Sequence, residues 1–95
     1  MQQIIKKFEE FMGKYGRLYS QFYVGIASDP EDRLINGHGV SRNIPSIYWN
    51  IPINTNAVRE IEKYFLDRGC KGGPGGGDNN TNYIYTYLIT PQTRQ

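Results

Sequence analysis

The stretch FYVGIASDPEDRLINGHG, residues 22–39, is the most informative about the fold, because the pattern of a strand is followed in it directly by the pattern of a capped helix. Its aromatic and β-branched start predicts a strand over about residues 20–27. The Asp29 side chain can accept hydrogen bonds from the free N–H groups of the next segment, and Pro30 suits the first helical position. We therefore expect a short helix that runs only to about Asn36.

Outward from this stretch, four other segments have regular patterns. In two of them apolar groups recur every three or four positions, which predicts amphipathic helices over about residues 3–15 and 57–69. Two others are rich in aromatic and β-branched residues, which predicts strands at SIYWNIPI, 46–53, and YIYTYLI, 83–89. The glycine-rich segment 69–82 predicts an irregular connection.

These elements limit the fold class. Two or three short strands cannot form a doubly wound parallel sheet. The 95 residues have room for one domain with one modest core. We expect the α+β class: a single domain, 1–95, with a small central, mostly antiparallel sheet of about three strands flanked by helices.

The last strand alternates between two kinds of side chain. Because successive strand residues point to opposite faces, one face carries Tyr83, Tyr85, Tyr87 and Ile89, and the other carries Ile84, Thr86 and Leu88. A stripe of tyrosines can stack on nucleic-acid bases. It can equally pack in the core or form an interface at an edge strand. The pattern alone leaves these alternatives open.

Composition excludes several classes of protein. The single cysteine, Cys70, rules out an internal disulfide, and no Cys/His cluster provides zinc ligands. The net charge of +2 is compatible with a phosphate-bearing partner but too small to argue for one. The start, MQQIIKKFEEF, lacks the apolar run of a signal peptide, and no stretch is apolar for the length of a membrane span. We expect a soluble, cytoplasmic protein with no membrane partner.

Three polar residues are candidates for one functional surface. Arg33 can meet phosphate oxygens with its planar guanidinium, Glu62 can hold a divalent cation, and Tyr23 can place a phenol near an attacking water. Phosphodiester hydrolysis needs these three parts. The alternative is structural: Tyr23 lies in the core, Arg33 pairs with Glu31 or another nearby carboxylate, and Glu62 is solvated.

Three further residues complete the candidate set. His38 can serve as a base near neutral pH, or it is only a loop residue between two glycines. Lys71 stands beside the glycine-rich segment, whose backbone N–H groups can surround an anion. Arg42, in the loop after His38, joins Arg33 and Lys71 as a candidate for binding substrate phosphate.

YVGIASDPEDRL at 23–34, a histidine after it, an A-x(4)-E-x-x-F-L helix and a glycine-rich segment together resemble the GIY-YIG nuclease family. Its members are small metal-dependent DNA-cleaving modules with a compact antiparallel sheet flanked by helices. The resemblance implies that Tyr23 and Gly25 form the second half-motif and that Arg33 and His38 act in catalysis. It also implies that Glu62 holds the divalent cation, Mg²⁺ or Mn²⁺.

The chain departs from the family pattern at two points. His38 lies five positions after Arg33, where the resemblance implies about four. The first half-motif, GIY, is missing from the region before Tyr23. We expect the C-terminal strand 83–89 to fill its place in the sheet beside residues 20–27, with one of three tyrosines replacing the missing one: Tyr83, Tyr85 or Tyr87.

The resemblance predicts a metal-dependent DNA endonuclease or a nuclease-like phosphodiester-cleaving domain. The alternative is a catalytically inactive binding protein of the same fold, by analogy phage-encoded, that sequesters a nucleotide ligand or inhibits a host defence protein. A third interpretation is a small structural module that forms homo-oligomers through its tyrosine-rich strand.

Overall fold

A computed structural model describes residues 2–73 and 81–95 of the chain. The predicted glycine-rich connection falls largely on 74–80, outside the described residues. In chain order, the elements are α1 (Gln2–Tyr15), β1 (Phe22–Ala27), α2 (Pro30–Asp32), β2 (Ser46–Tyr48), α3 (Thr55–Asp67) and β3 (Tyr83–Leu88). A 3-10 turn, Tyr19–Gln21, precedes β1, and α2 continues directly into a π-helical turn, Arg33–Gly37.

The sheet has three strands in the order β1-β3-β2, and both pairings are antiparallel. The predicted α+β class with a small antiparallel sheet flanked by helices is therefore confirmed. The C-terminal strand β3 lies in the centre and pairs with β1 along its whole length, from Phe22 opposite Leu88 to Ala27 opposite Tyr83. This is the pairing that we expected between segments 83–89 and 20–27.

The second strand is shorter than the predicted segment 46–53. Only Ser46–Tyr48 has strand geometry, although the chain continues alongside β3: the Trp49 N–H donates to the Ile84 carbonyl and the Ile53 N–H to the Asn82 carbonyl. Pro52 has no N–H to give to a ladder. The regular pairing therefore ends early, and β2 remains a short edge strand.

One face of the sheet is covered by the two long helices. Helix α1 buries an apolar stripe that consists of Ile4, Phe8, Phe11 and Met12, and α3 buries Val58, Ile61 and Phe65. These side chains pack on the strand residues that point to the same face, Phe22, Val24 and Ile84. We call this the apolar face. Burial of its hydrocarbon surface is the main source of folding free energy.

The opposite face of the sheet is covered by the segment that follows β1. Leu34, Val40 and Ile44 pack there against three buried tyrosines, Tyr23, Tyr85 and Tyr87. We call this the tyrosine face. The strict alternation of β3 thus separates its tyrosines from Ile84 and Thr86, as the sequence pattern predicts.

Side-chain caps fix the starts of two helices. The Asp29 carboxylate accepts a hydrogen bond from the Asp32 N–H at 3.1 Å, with Pro30 at the first helical position. The Asn54 side chain accepts from the N–H groups of Asn56 and Ala57 at 2.7 and 3.3 Å. Both caps satisfy donors that have no partner inside the helix.

Within the described residues, none of the helices combines the length and the apolar composition needed to cross a membrane.

Candidate functional site

The strand register brings two predicted candidate tyrosines together. Tyr23 lies opposite Tyr87 across the β1-β3 pair, and their rings stack with centroids 5.3 Å apart and planes at 20°. Gly25 lies opposite Tyr85. A Cβ atom at Gly25 would collide with the Tyr85 hydroxyl, so the glycine makes the space that this phenol occupies.

The π-helical turn places His38 over the same rings. The His38 N–H donates to the Arg33 carbonyl at 2.9 Å, the five-residue hydrogen bond of a π turn. The π turn thus accommodates the five positions that separate His38 from Arg33. The His38 imidazole is buried, and its centroid lies 4.6 Å from that of Tyr23. His38 is therefore not a solvated loop residue.

Hydrogen bonds connect the histidine to both strand β3 tyrosines. His38 Nε2 lies 2.7 Å from the Tyr85 hydroxyl, and Nδ1 lies 2.6 Å from the backbone carbonyl oxygen of Arg94. The Tyr87 hydroxyl lies 3.1 Å from Nδ1 and donates to the same carbonyl at 3.1 Å. We call Tyr23, His38, Tyr85 and Tyr87 the tyrosine–histidine cluster.

Burial sets the protonation of this cluster. Burial raises the pKa values of Tyr85 and Tyr87, because a phenolate would lose its hydration there. Burial also lowers the pKa of His38, and the positive charges of Arg33 and Arg94 act in the same direction, whereas the backbone hydrogen bond to Arg94 opposes them. Burial therefore favours the neutral forms of His38, Tyr85 and Tyr87.

Arg33 is exposed beside the cluster, at the junction of α2 and the π turn. Its guanidinium makes no hydrogen bond or ion pair to any residue that the structure describes. The structural alternative of a pair with Glu31 is not realised, since the Glu31 carboxylate instead accepts a hydrogen bond from Tyr48 at 2.5 Å. The Arg33 charge is thus available to an anionic ligand.

A polar groove adjoins Arg33. It encloses about 550 Å³ and is lined by Arg33 together with Ser28, Asp29, Asp32, Asn36 and Thr81. Gly37 also lines it, and a Cβ there would approach the Arg33 side chain at 2.8 Å from Cδ. The absence of a side chain at Gly37 therefore gives the arginine room along this groove.

Glu62 lies on α3, the helix that packs against β1 and β3. Its side chain is half-buried, and among the described residues its carboxylate has no hydrogen bond and no ion pair. Burial raises the pKa of Glu62, and the positive charge of Arg59 opposes that rise. Burial is the main cause of the raised pKa of Tyr85, and the Glu62 charge is the smallest of the contributions to it. The half-buried Glu62 carboxylate is therefore not fully solvated.

The other two predicted phosphate-binding residues lie in different places. Lys71 is exposed, and its backbone extends the edge of β1 through hydrogen bonds to Phe22 and Val24, both 2.9 Å. Just beyond it, the Gly73 N–H donates to the Tyr23 hydroxyl at 3.0 Å. Arg42 lines a separate groove with Leu34, Ile35 and Tyr48. Tyr23 and His38 are thus in ring contact, Arg33 lies one π turn before His38, and Lys71 pairs with β1 at Tyr23. Glu62 lies on α3, and Arg42 lines another groove.

The structure adds residues that the predicted site did not contain. Tyr85 and Tyr87 were two of three candidates for the missing half-motif tyrosine, and both contact His38, Tyr85 at 2.7 Å from Nε2 and Tyr87 at 3.1 Å from Nδ1. Tyr83, by contrast, lies opposite Ala27 at the end of the strand. Arg94 enters through its backbone carbonyl, for which a sequence offers no side-chain signal.

The donor set restricts the metal that Glu62 can hold. The described part of the chain contains no group of three His, Cys, Asp or Glu side chains that suits a metal ion. A single carboxylate fits Mg²⁺ or Mn²⁺, since Mg²⁺ commonly keeps several waters and binds through one or two carboxylates plus substrate phosphate oxygens. It does not fit a closed structural zinc site.

Comparison with protein-family models, with curated proteins and with solved structures finds no match to this chain. The resemblance to GIY-YIG nucleases therefore stays a prediction, and the function has to be argued from the site.

Proposed function

We propose that the chain is a metal-dependent nuclease that hydrolyses phosphodiester bonds in DNA. The observation that carries the proposal is the hydrogen-bonded pair of Tyr85 and His38, 2.7 Å between Oη and Nε2. Arg33, which has no hydrogen bond or ion pair to the described residues, lies one π turn from His38, and Glu62 on α3 is half-buried. Acyl transfer and glycosyl transfer do not specifically require a tyrosine–histidine pair together with an arginine and a glutamate. A phosphate diester needs an anion clamp, a proton acceptor and charge stabilisation at the leaving oxygen.

The proton acceptor in this proposal is the Tyr85–His38 pair. A water molecule transfers a proton to the Tyr85 hydroxyl oxygen while the phenol proton moves to His38 Nε2. The resulting hydroxide attacks phosphorus, the bond from phosphorus to the leaving oxygen breaks, and the leaving oxygen takes a proton from solvent. Both residues are buried, and because the Tyr85 hydroxyl occupies Nε2, His38 acts through the phenol in this proposal.

Arg33 and Glu62 have the electrostatic roles. Arg33 pairs with the non-bridging oxygens of the scissile phosphate and stabilises the charge that develops on them. Glu62 would hold a Mg²⁺ or Mn²⁺ ion, which when bound supplies charge neutralisation at the phosphate and the leaving oxygen. Tyr23 supports the pair from behind by ring contact with His38, and its own hydroxyl is engaged by Gly73.

The test is cleavage of supercoiled plasmid and of short single-stranded DNA with Mg²⁺, with Mn²⁺ and with chelator. Arg33→Ala and Glu62→Gln are each expected to reduce metal-dependent cleavage by about 10²–10³-fold, the usual loss when one transition-state contact is removed. Arg17→Ala and Glu60→Gln are matched controls, since both side chains are exposed and lie outside the cluster. Unchanged cleavage in the Arg33 variant would reject the assignment.

A nucleotide-binding protein without turnover is the second candidate. The groove beside Arg33 has about 550 Å³, within the range of small-molecule sites, and it also contains the carboxylates of Asp29 and Asp32. Two carboxylates and a net charge of +2 do not favour a long phosphate backbone. Calorimetric binding of a mononucleotide that the protein leaves intact, in a preparation with no nuclease activity, would favour this candidate.

A further inference from the structure

The C-terminal segment makes a reciprocal contact with the histidine of the site. The Arg94 N–H donates to the His38 carbonyl at 2.7 Å, while the Arg94 carbonyl oxygen lies 2.6 Å from His38 Nδ1. The two residues are 56 positions apart in the chain. The Arg94 guanidinium adds a third link, since it donates to the Asn36 carbonyl at 3.1 Å.

This contact is built into the fold. Thr90 and Thr93 close a turn after β3: the Thr93 N–H donates to the Thr90 carbonyl at 3.1 Å, and the Thr93 hydroxyl donates to the same oxygen at 2.9 Å. Gly39 has φ +69°, and a Cβ there would lie 2.9 Å from Arg94 Nη1. The turn that Thr90 and Thr93 close and the missing side chain at Gly39 thus both accommodate the contact.

The chemistry of the partners determines which nitrogen of His38 carries the proton. A carbonyl oxygen can only accept, so the 2.6 Å contact requires a proton on Nδ1. The Tyr87 hydroxyl lies 3.1 Å from Nδ1 and 3.1 Å from the same carbonyl oxygen. Because the carbonyl at 2.6 Å is the closer partner of Nδ1 and cannot donate, the proton lies on Nδ1, and the Tyr87 hydroxyl donates to the carbonyl. In a neutral imidazole Nε2 is then unprotonated and accepts from the Tyr85 hydroxyl.

We propose that the backbone carbonyl of Arg94 is a positioning group that holds His38 in the Nδ1-protonated form, so that Nε2 is kept free to accept the proton of Tyr85. The inference rests on the proposed function for its catalytic meaning, because only a proton-accepting Nε2 makes the Tyr85–His38 pair a base. Arg94 itself contacts neither substrate nor reacting atoms in this role.

The consequence concerns the backbone and not the arginine side chain. Arg94→Ala retains the carbonyl and removes the guanidinium, so it is expected to keep the tautomer. A chain that ends at Thr93 lacks the carbonyl, and His38 in it is expected to exchange between both tautomers. The chain that ends at Thr93 is then the variant, and Arg94→Ala is its matched control at the same position.

The experiment is a long-range ¹H–¹⁵N spectrum of the imidazole nitrogens at a pH where His38 is neutral, combined with the plasmid cleavage assay. The full chain and Arg94→Ala are expected to show a protonated Nδ1 and an unprotonated Nε2. The chain ending at Thr93 is expected to show averaged nitrogen shifts and at least about tenfold slower cleavage, since general base catalysis contributes about 10²–10⁴-fold.

Several outcomes are decisive. A protonated Nε2 in the full chain overturns the inference, and this measurement does not depend on whether a variant folds. A folded chain ending at Thr93 that retains the original tautomer also overturns it. The expected tautomers in a protein that cleaves no DNA would support the positioning role and reject the nuclease, so the two proposals fail separately.

Discussion

The two faces of the sheet come from the same strands but bury different chemistry. On the apolar face, hydrocarbon side chains from α1 and α3 pack on Phe22, Val24 and Ile84. On the tyrosine face, three phenols and an imidazole are buried with their polar atoms joined by hydrogen bonds. The first arrangement maximises stability per unit of buried area, whereas the second requires that every polar atom finds a partner.

One hydroxyl on each face makes the contrast concrete. The Thr86 hydroxyl is buried on the apolar side, opposite Val24, and has no hydrogen-bond partner among the described residues. One position along β3, the Tyr85 hydroxyl bonds to His38. The same strand therefore carries one buried hydroxyl with no partner in the described part of the chain and a second that bonds to the histidine of the candidate site. We infer that the buried polar groups of the tyrosine face are organised around His38.

The largest expected effect is on the stability of the apolar face. Phe8 is fully buried and its ring lies 5.9 Å from that of Phe65, so Phe8→Ala is expected to lower the free energy of unfolding by about 3–5 kcal/mol. Urea unfolding followed by circular dichroism measures this. A loss below about 1 kcal/mol would mean that α1 is not part of a common core with α3.

The next effect tests whether the tyrosine face is organised for function. Tyr85→Phe keeps the ring and removes the hydroxyl, which leaves the buried His38 Nε2 without its donor and is expected to lower stability by about 1–3 kcal/mol. Plasmid cleavage is expected to fall because the water loses its proton acceptor. Urea unfolding and initial cleavage rates are measured on the same preparation.

Tyr83→Phe is the matched control for that prediction, since Tyr83 is half-buried at the end of β3 and has no bond to His38. If both variants retain full cleavage, Tyr85 has no role in proton transfer, and the comparison between the faces reduces to packing alone.

A smaller change of opposite sign is expected on the apolar face. Thr86→Val replaces a buried hydroxyl that has no described partner by a methyl group of nearly the same shape, and it is expected to raise the free energy of unfolding by about 1 kcal/mol. The measurement is again the urea midpoint. A destabilised Thr86→Val variant would show that this hydroxyl does have a partner in the folded protein.

The smallest effect is expected at Cys70, whose thiol should not react in the folded protein. Cys70 is buried among the apolar residues, and burial raises the pKa of its thiol to about 12. Because only the thiolate reacts, labelling by a disulfide reagent is expected to stay slow in folded protein between about pH 8 and 9.5, while it rises steeply in the unfolded chain. Equal labelling rates in both states would indicate an apolar face open to solvent.

Much of the architecture could be predicted because it depends on neighbouring residues. The stripes of α1 and α3, the cap at Asp29, and the alternation of β3 are all found in the structure. The boundaries were less accurate. β1 begins at Phe22 and not near residue 20, because Gln21 is held in a 3-10 turn where its side chain accepts from Arg17 and Leu18.

The candidate site could be predicted only in part. Tyr23, Arg33, His38 and Glu62 stood out by residue type, and the structure brings Tyr23, His38 and the π turn that begins at Arg33 together. Arg42 was also selected by type but lies on a separate groove. The sequence does not give the position of a charged side chain in the fold. Residue type alone therefore cannot distinguish a cation near the cluster from one on another surface.

The sequence by itself determined which residues are helical, which are extended, and that tyrosines share one side of the last strand, because these properties arise from contacts a few positions apart. The contact of the Tyr85 phenol with Nε2 of His38, and that of the Arg94 carbonyl with Nδ1, follow only from the tertiary structure. Those partners are 47 and 56 positions from the histidine. Their meeting depends on the register of β3, on the room at Gly25 and on the turn after Thr90, which no local pattern specifies.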